Sequence, residues 1–212
     1  MVRGFVKNNV ALFVAIGTCI VAFVVVALAA RAGILSGVDY NILAVVRTLA
    51  APTLDQVVPV VTMLGDAVFV AIITVLLALG FAARGRLRQA TLLLFGVGGA
   101  AVINVLLKHI ADRTRPELWQ HLVTETSHSF PSGHATASMA LALCIVVLAW
   151  STKWRALTIT LAAVYVAVIA LTRLYAGVHY PTDIVAGWLV TAAWVGIVCV
   201  ILRSIRQRKA AQ

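Results

Sequence analysis

Hydrophobic positions in this chain fall in long uninterrupted runs, with the polar residues gathered between them. An uncharged run from Val10 to Ala30 matches the length of about 20 residues that an α-helix needs to cross a bilayer. Further runs near Ala67 to Ala83, Gln89 to Leu107, Ser132 to Trp150, Ala156 to Leu174 and Pro181 to Leu202 predict five more helices of similar character. Between the first two runs, Ile42, Leu43, Val46 and Leu49 recur at helical spacing beside Asp39 and Arg47. That pattern predicts a helix lying along the membrane interface, with a short re-entrant segment as the alternative. The expected fold is all-α: an integral membrane bundle of six transmembrane helices with an interfacial helix between the first two spans, and residues 1–212 forming one domain.

Composition fits this pattern, since 62% hydrophobic against 11% charged residues lies outside the balance of a soluble domain. A net charge of +10 in a soluble protein would suggest nucleic acid. Here the bases sit between apolar runs, so they report orientation and the bilayer's anionic headgroups, and no nucleic-acid partner is expected. Eleven of the 17 bases fall on one set of segments, which includes Arg3, Lys7, Arg84, Arg86, Arg88, Lys153, Arg155 and the cluster from Arg203 to Lys209. All seven acids fall on the other set. Lys and Arg accumulate in cytoplasmic loops, which puts both termini in the cytoplasm, and an even number of spans agrees. Cys19, Cys144 and Cys199 lie inside apolar runs without a C-x-x-C pattern, which predicts buried, inert thiols. Gly96, Gly98 and Gly99 are expected to let helices pack closely. No internal repeat argues for a transporter built from inverted halves.

Three polar clusters remain, all on the side with fewer bases. The first runs from Lys108 to Pro116, with Lys108 and Arg115 seven residues apart, a spacing of about two helical turns that suits a dianion. The second is Pro131-Ser132-Gly133-His134, at a helix start where Pro fits the first turn. Free N–H groups of Ser132 and Gly133 there favour an anion, and His134 can carry a proton near neutral pH. The third runs from Thr172 through Arg173 and His179 to Asp183. If Pro181 opens a helix, Asp183 lies in its first turn and can orient His179 as a nucleophile, while Arg173 offers a bidentate phosphate donor. His121, Glu125 and His128 have a helix-like spacing that would suit a metal, but the outer face carries few of the carboxylates that paired metals need, so no metal is expected. Trp119 and Phe130 are candidates to guide an acyl or prenyl chain.

Taken together these clusters resemble the signature of the type 2 phosphatidate phosphatase family, or lipid phosphate phosphatases: K-x6-R-P, then P-S-G-H, then S-R-x5-H-x3-D. The match runs over about half the chain, with Thr172 where the family usually has Ser. The resemblance implies a bacterial inner-membrane phosphatase similar to those acting on phosphatidylglycerol phosphate or undecaprenyl pyrophosphate, and the count of bases puts its site on the outer face. By the same resemblance His179 attacks phosphorus, Asp183 orients its ring, and His134 protonates the leaving oxygen. Lys108, Arg115, Ser132, Gly133 and Arg173 hold the phosphate oxygens, without metal, cofactor or obligate protein partner. Transfer to a second lipid, or transport without hydrolysis, are the alternatives to hydrolysis.

Overall fold

The computed structural model of the chain describes residues 2–209. Every regular element among them is helical: α1 (Val2–Arg31), α2 (Ser36–Arg47), α3 (Pro52–Thr62) with a 3-10 turn at Met63–Gly65, α4 (Ala67–Ala83), α5 (Leu87–Ala111), α6 (Gly133–Ala149), α7 (Arg155–Tyr175) and α8 (Pro181–Lys209). Local chemistry sets several of these boundaries. Asp66 caps α4 by accepting from the Val68 N–H at 2.8 Å, which satisfies one donor that the first turn leaves free. Pro52 stands in the first turn of α3, where its missing N–H costs nothing. Asp112 ends α5 in a left-handed conformation, at φ 47° and ψ 40°, a state that Asp tolerates better than most residues.

Helices α5, α7, α8 and the part of α1 from Asn9 are long and apolar enough to cross a membrane; α2 and α3 together form a fifth candidate, bent by 119°. Helices α4 and α6 are apolar but have only 17 residues each. The segment read from sequence as a single interfacial helix is thus two helices. The break has a local cause, because Pro52 disfavours helical backbone in the residue before it, and Ala51 is extended at φ −151° and ψ 143°. Large apolar side chains point outward along the bundle, among them Val21 and Leu28 of α1, Leu76 of α4, Phe95 and Val102 of α5, and Leu161 of α7. Apolar exposure on that scale suits lipid rather than water, and the protein is a multi-pass membrane protein.

Helix α6 sits at the centre, packed against α4, α5, α7 and α8. Its buried face is built from small residues, including Ala135, Thr136, Ala137, Ser138, Ala140 and Ala142, which let backbones approach closely. Gly96 and Gly99 act in the same way: a Cβ on Gly96 would collide with Cys144, and one on Gly99 with the Trp194 ring. Gly98 faces open space and makes no such contact. Cys144 is buried as expected, whereas Cys19 and Cys199 are only half-buried, and all three are free. Under the loops at one end of the bundle lies a second apolar core in which Leu43 of α2, Val58 of α3, Ala135 of α6, Leu174 of α7 and Ile184 of α8 meet. This core supports the turn from α7 to α8, where the polar clusters gather.

Candidate active site

The turn between α7 and α8 reverses the chain at Gly177, whose φ of +75° suits glycine and where a Cβ would meet the Trp119 ring. That reversal brings His179 back over the start of α8 with only 1% of its surface exposed. Asp183, in the first turn of α8, accepts from the Tyr180 N–H at 2.9 Å through Oδ2, and the same oxygen faces His179 Nδ1 at 3.4 Å. A proton on Nδ1 then points at the carboxylate, and the Nε2 lone pair is directed away from it. Arg115 Nη1 lies 3.2 Å from Nε2 and also donates to the Val178 carbonyl at 2.7 Å.

Asp183 is itself held from a second side. Arg113 donates to Asp183 Oδ1 at 2.6 Å, to the Thr182 hydroxyl at 2.7 Å and to Asp39 Oδ2 at 2.8 Å. Asp39, on α2, further accepts from the Thr182 N–H at 3.0 Å and from its hydroxyl at 2.7 Å. Both carboxylates are fully buried, and a buried charge persists only when paired and hydrogen-bonded. Burial opposes the charge on Arg113, but Asp183 and Asp39 more than offset it and raise its pKa.

A cavity of about 450 Å³ opens beside this network, and Lys108, Gly133, His134, His179, Asp66 and Val105 are among the residues that line it. Lys108 Nζ donates to Ser127 Oγ at 3.1 Å and to the His128 carbonyl. Glu125 also lines the cavity, and its carboxylate is bound by Arg173 through Nη2 and by Arg115 through Nη2 at 3.3 Å. Arg173 is 1% exposed and makes a second bond, to the Thr62 hydroxyl of α3 at 2.9 Å. Burial first, and then Arg173, Arg115 and Lys108, hold the His179 pKa well below its ordinary value of 6.5. Its ring is therefore neutral at physiological pH.

The residues singled out in the sequence converge at one end of the bundle, with some differences in detail. Lys108 and Arg115 are not two turns apart on one helix, because α5 stops at Ala111 and Arg115 reaches the site from the loop that follows. Pro131 is not in the first turn of α6. It precedes the cap residue Ser132, and α6 starts at Gly133. The Ser132 N–H is not free either, since it donates to the Asp183 carbonyl at 3.0 Å, while its Oγ accepts from the Ala135 N–H at 3.4 Å. Fully buried, Ser132 ties α6 to α8, and it is its neighbour Gly133 that lines the cavity. Phe130 is buried and packs on Phe23 of α1 at a ring distance of 6.1 Å. Trp119 packs against the second core, with the Arg47 guanidinium 5.3 Å from its ring. Neither lines the cavity, because the loop carrying them folds down onto the helix ends. The trio with helix-like spacing is split as well: His121 turns to the Pro116 carbonyl at 2.6 Å, His128 to Asp112 at 3.0 Å, and Glu125 to the two arginines. Sequence reasoning missed Asp39, Arg113 and Thr182, whose connection depends on α2 docking against the α8 end. The one available signal was an acid on an otherwise amphipathic helix.

The PAP2 superfamily model matches residues 89–207, more than half of the chain, and the protein belongs to that superfamily. Phosphatidylglycerophosphatase B of Bacillus subtilis is 28% identical over 174 residues, spanning 78% of this chain and 84% of the relative. Decaprenylphosphoryl-5-phosphoribose phosphatase of Mycobacterium tuberculosis is 35% identical over 126 residues, 57% of this chain and 66% of the relative. Among solved structures, the PAP2 type phosphatidylglycerolphosphate phosphatase of Bacillus subtilis superposes with a TM-score of 0.81 at 25% identity, covering 90% of this chain and 96% of that one.

Two predictions follow from this geometry. Arg113→Met should lower kcat by about 10–100-fold with little change in KM, the usual effect of losing a group that positions a reacting side chain. A raised KM at unchanged kcat would instead place Arg113 on the substrate. The second concerns pH. Protonation removes the His179 Nε2 lone pair, and because the folded pKa is depressed, the ring keeps that lone pair well below pH 6.5. Apart from the ionisation of the lipid phosphate itself, at about pH 6, the acid limb of kcat/KM should show no group of the protein titrating at or above pH 6.5, and such a group would contradict His179 as the nucleophile.

Proposed function

We propose that this chain is a metal-independent lipid phosphatase, hydrolysing the phosphomonoester or pyrophosphate of a membrane lipid through a phosphohistidine. One observation carries the reading: His179 turns Nδ1 to Asp183, keeps Nε2 among cations, and lines the same cavity as His134 and Lys108. Phosphoryl transfer asks mainly for positioning and for compensation of the charge spread over the phosphate oxygens. In the proposed reaction, His134 takes up a proton as the phosphate anion binds beside it, Nε2 of His179 forms a bond to phosphorus as the bond to the lipid oxygen breaks, and His134 gives that oxygen its proton. Water then attacks the phosphohistidine, with His134 as base, and releases inorganic phosphate. Lys108, Arg115, Arg173 and the N–H of Gly133 hold the phosphate, and the Ser132 hydroxyl has a proton left to donate. The positive charge a metal would bring is already supplied by three side chains.

Both curated relatives above are named as phosphatases of lipid-linked phosphates, which supports the substrate class. Phosphatidylglycerol phosphate, undecaprenyl pyrophosphate and phosphatidate are its candidate members. The reading extends to a single domain of six spans in a bacterial cytoplasmic membrane, with both termini in the cytoplasm and the site facing outward. Its support is the bias of bases toward one set of loops.

Purified protein in detergent with excess chelator should release phosphate from at least one of these lipids. His179→Ala should lower turnover by about 10³-fold or more, as loss of a nucleophile does. Wild-type activity that needs an added divalent ion, or a His179→Ala variant of near wild-type rate, would overturn the proposal. Appearance of the phosphate on a second lipid instead of in water would show a phosphotransferase.

A further inference from the structure

Glu125 is the part of the site that the proposed reaction leaves unused. It lies on the loop between α5 and α6, lines the same cavity as His134 and His179, and spreads its two carboxylate oxygens over two guanidiniums. Arg173 takes Oε1 and Arg115 takes Oε2. A carboxylate bridging two arginines presents the same pattern as two oxygens of a phosphate. Arg115 is meanwhile also bonded to His179 Nε2, so the arginine on Glu125 covers the lone pair that would attack.

Resting on the phosphatase reading, we propose that Glu125 is an internal stand-in for phosphate: it fills the anion position between substrates and, by returning after turnover, expels the product. A tethered carboxylate acts at a high effective concentration, on the order of millimolar for a short flexible link. A lipid phosphate overcomes this competitor with a second negative charge, a third oxygen and the binding of its apolar tail. As the phosphate displaces Glu125, Arg115 turns to the phosphate oxygens and uncovers His179 Nε2. Once the lipid alcohol has left and water has cleaved the phosphohistidine, inorganic phosphate has lost the tail, and Glu125 regains Arg115 and Arg173. At rest the same contact compensates Arg173, a buried cation that otherwise bonds the neutral Thr62 hydroxyl.

The test is competitive inhibition of lipid phosphate hydrolysis by inorganic phosphate in wild type, Glu125→Gln and Glu125→Ala. Affinity for a ligand that must displace a resident group is reduced by the fraction of molecules in which the group is displaced. Removing the group should therefore lower the phosphate Ki by about tenfold and lower KM with it. Glu117→Gln, on an exposed side chain of the same loop, should leave Ki at the wild-type value, which separates bridging from a general loss of negative charge. Phosphate should also raise the melting temperature of Glu125→Gln more than that of wild type, a reading that needs no turnover. An unchanged or higher Ki in both Glu125 variants, while wild type hydrolyses normally, overturns this inference alone. A wild type that neither hydrolyses lipid phosphates nor binds phosphate overturns the phosphatase reading, and this inference with it.

Discussion

A carboxylate with no access to solvent, Asp183 at the start of α8, is the constraint on which the rest of the site depends. One oxygen accepts from the Tyr180 N–H and faces His179, the other accepts from Arg113, and its backbone carbonyl accepts from the Ser132 N–H. Four separate segments thus meet at one residue: the α7–α8 turn, the α5–α6 loop, the start of α6 and, through Arg113, α2. An unpaired charge at this depth would cost several kcal/mol. The surrounding structure has to supply its partners, and supplying them fixes the ring of His179.

The same requirement explains how so polar an end can exist on so apolar a bundle. The helices meet lipid along their sides with Val, Leu and Phe, and the acids with their ion pairs gather at one set of helix ends, where first-turn N–H groups and loop carbonyls provide further partners. Small residues on α6 let its neighbours come close, so the first turns of α6 and α8 stand side by side. Membership of the PAP2 superfamily fits this arrangement, with the matched region beginning in α5 and ending in α8.

Much of this was legible in the sequence, for identifiable reasons. Long apolar runs report helices directly, and six of the eight helices among the described residues coincide with the runs read from hydropathy. The three polar clusters stood out because each interrupts those runs. Proximity between distant segments left no local trace. Asp39 is 144 residues from Asp183 in sequence, and only folding reveals that Arg113 joins them. Ser132 read as a phosphate donor because a helix start ordinarily leaves its N–H groups free; α8 supplies an acceptor that the local sequence does not show. Glu125 looked like one member of a spaced trio, but the loop is not helical there, and the buried arginines are the stronger attraction for its charge.

The proposed chemistry has one central claim, that phosphorus passes through a covalent bond to His179. Rapid acid-free quenching of the enzyme during turnover of a lipid substrate labelled at its terminal phosphate, followed by peptide mapping under alkaline conditions, tests it directly. The account predicts label on the peptide carrying His179, stable to base and labile to acid, and gone in His179→Ala. Continued release of phosphate with no label on the protein, or label on another residue, would contradict it.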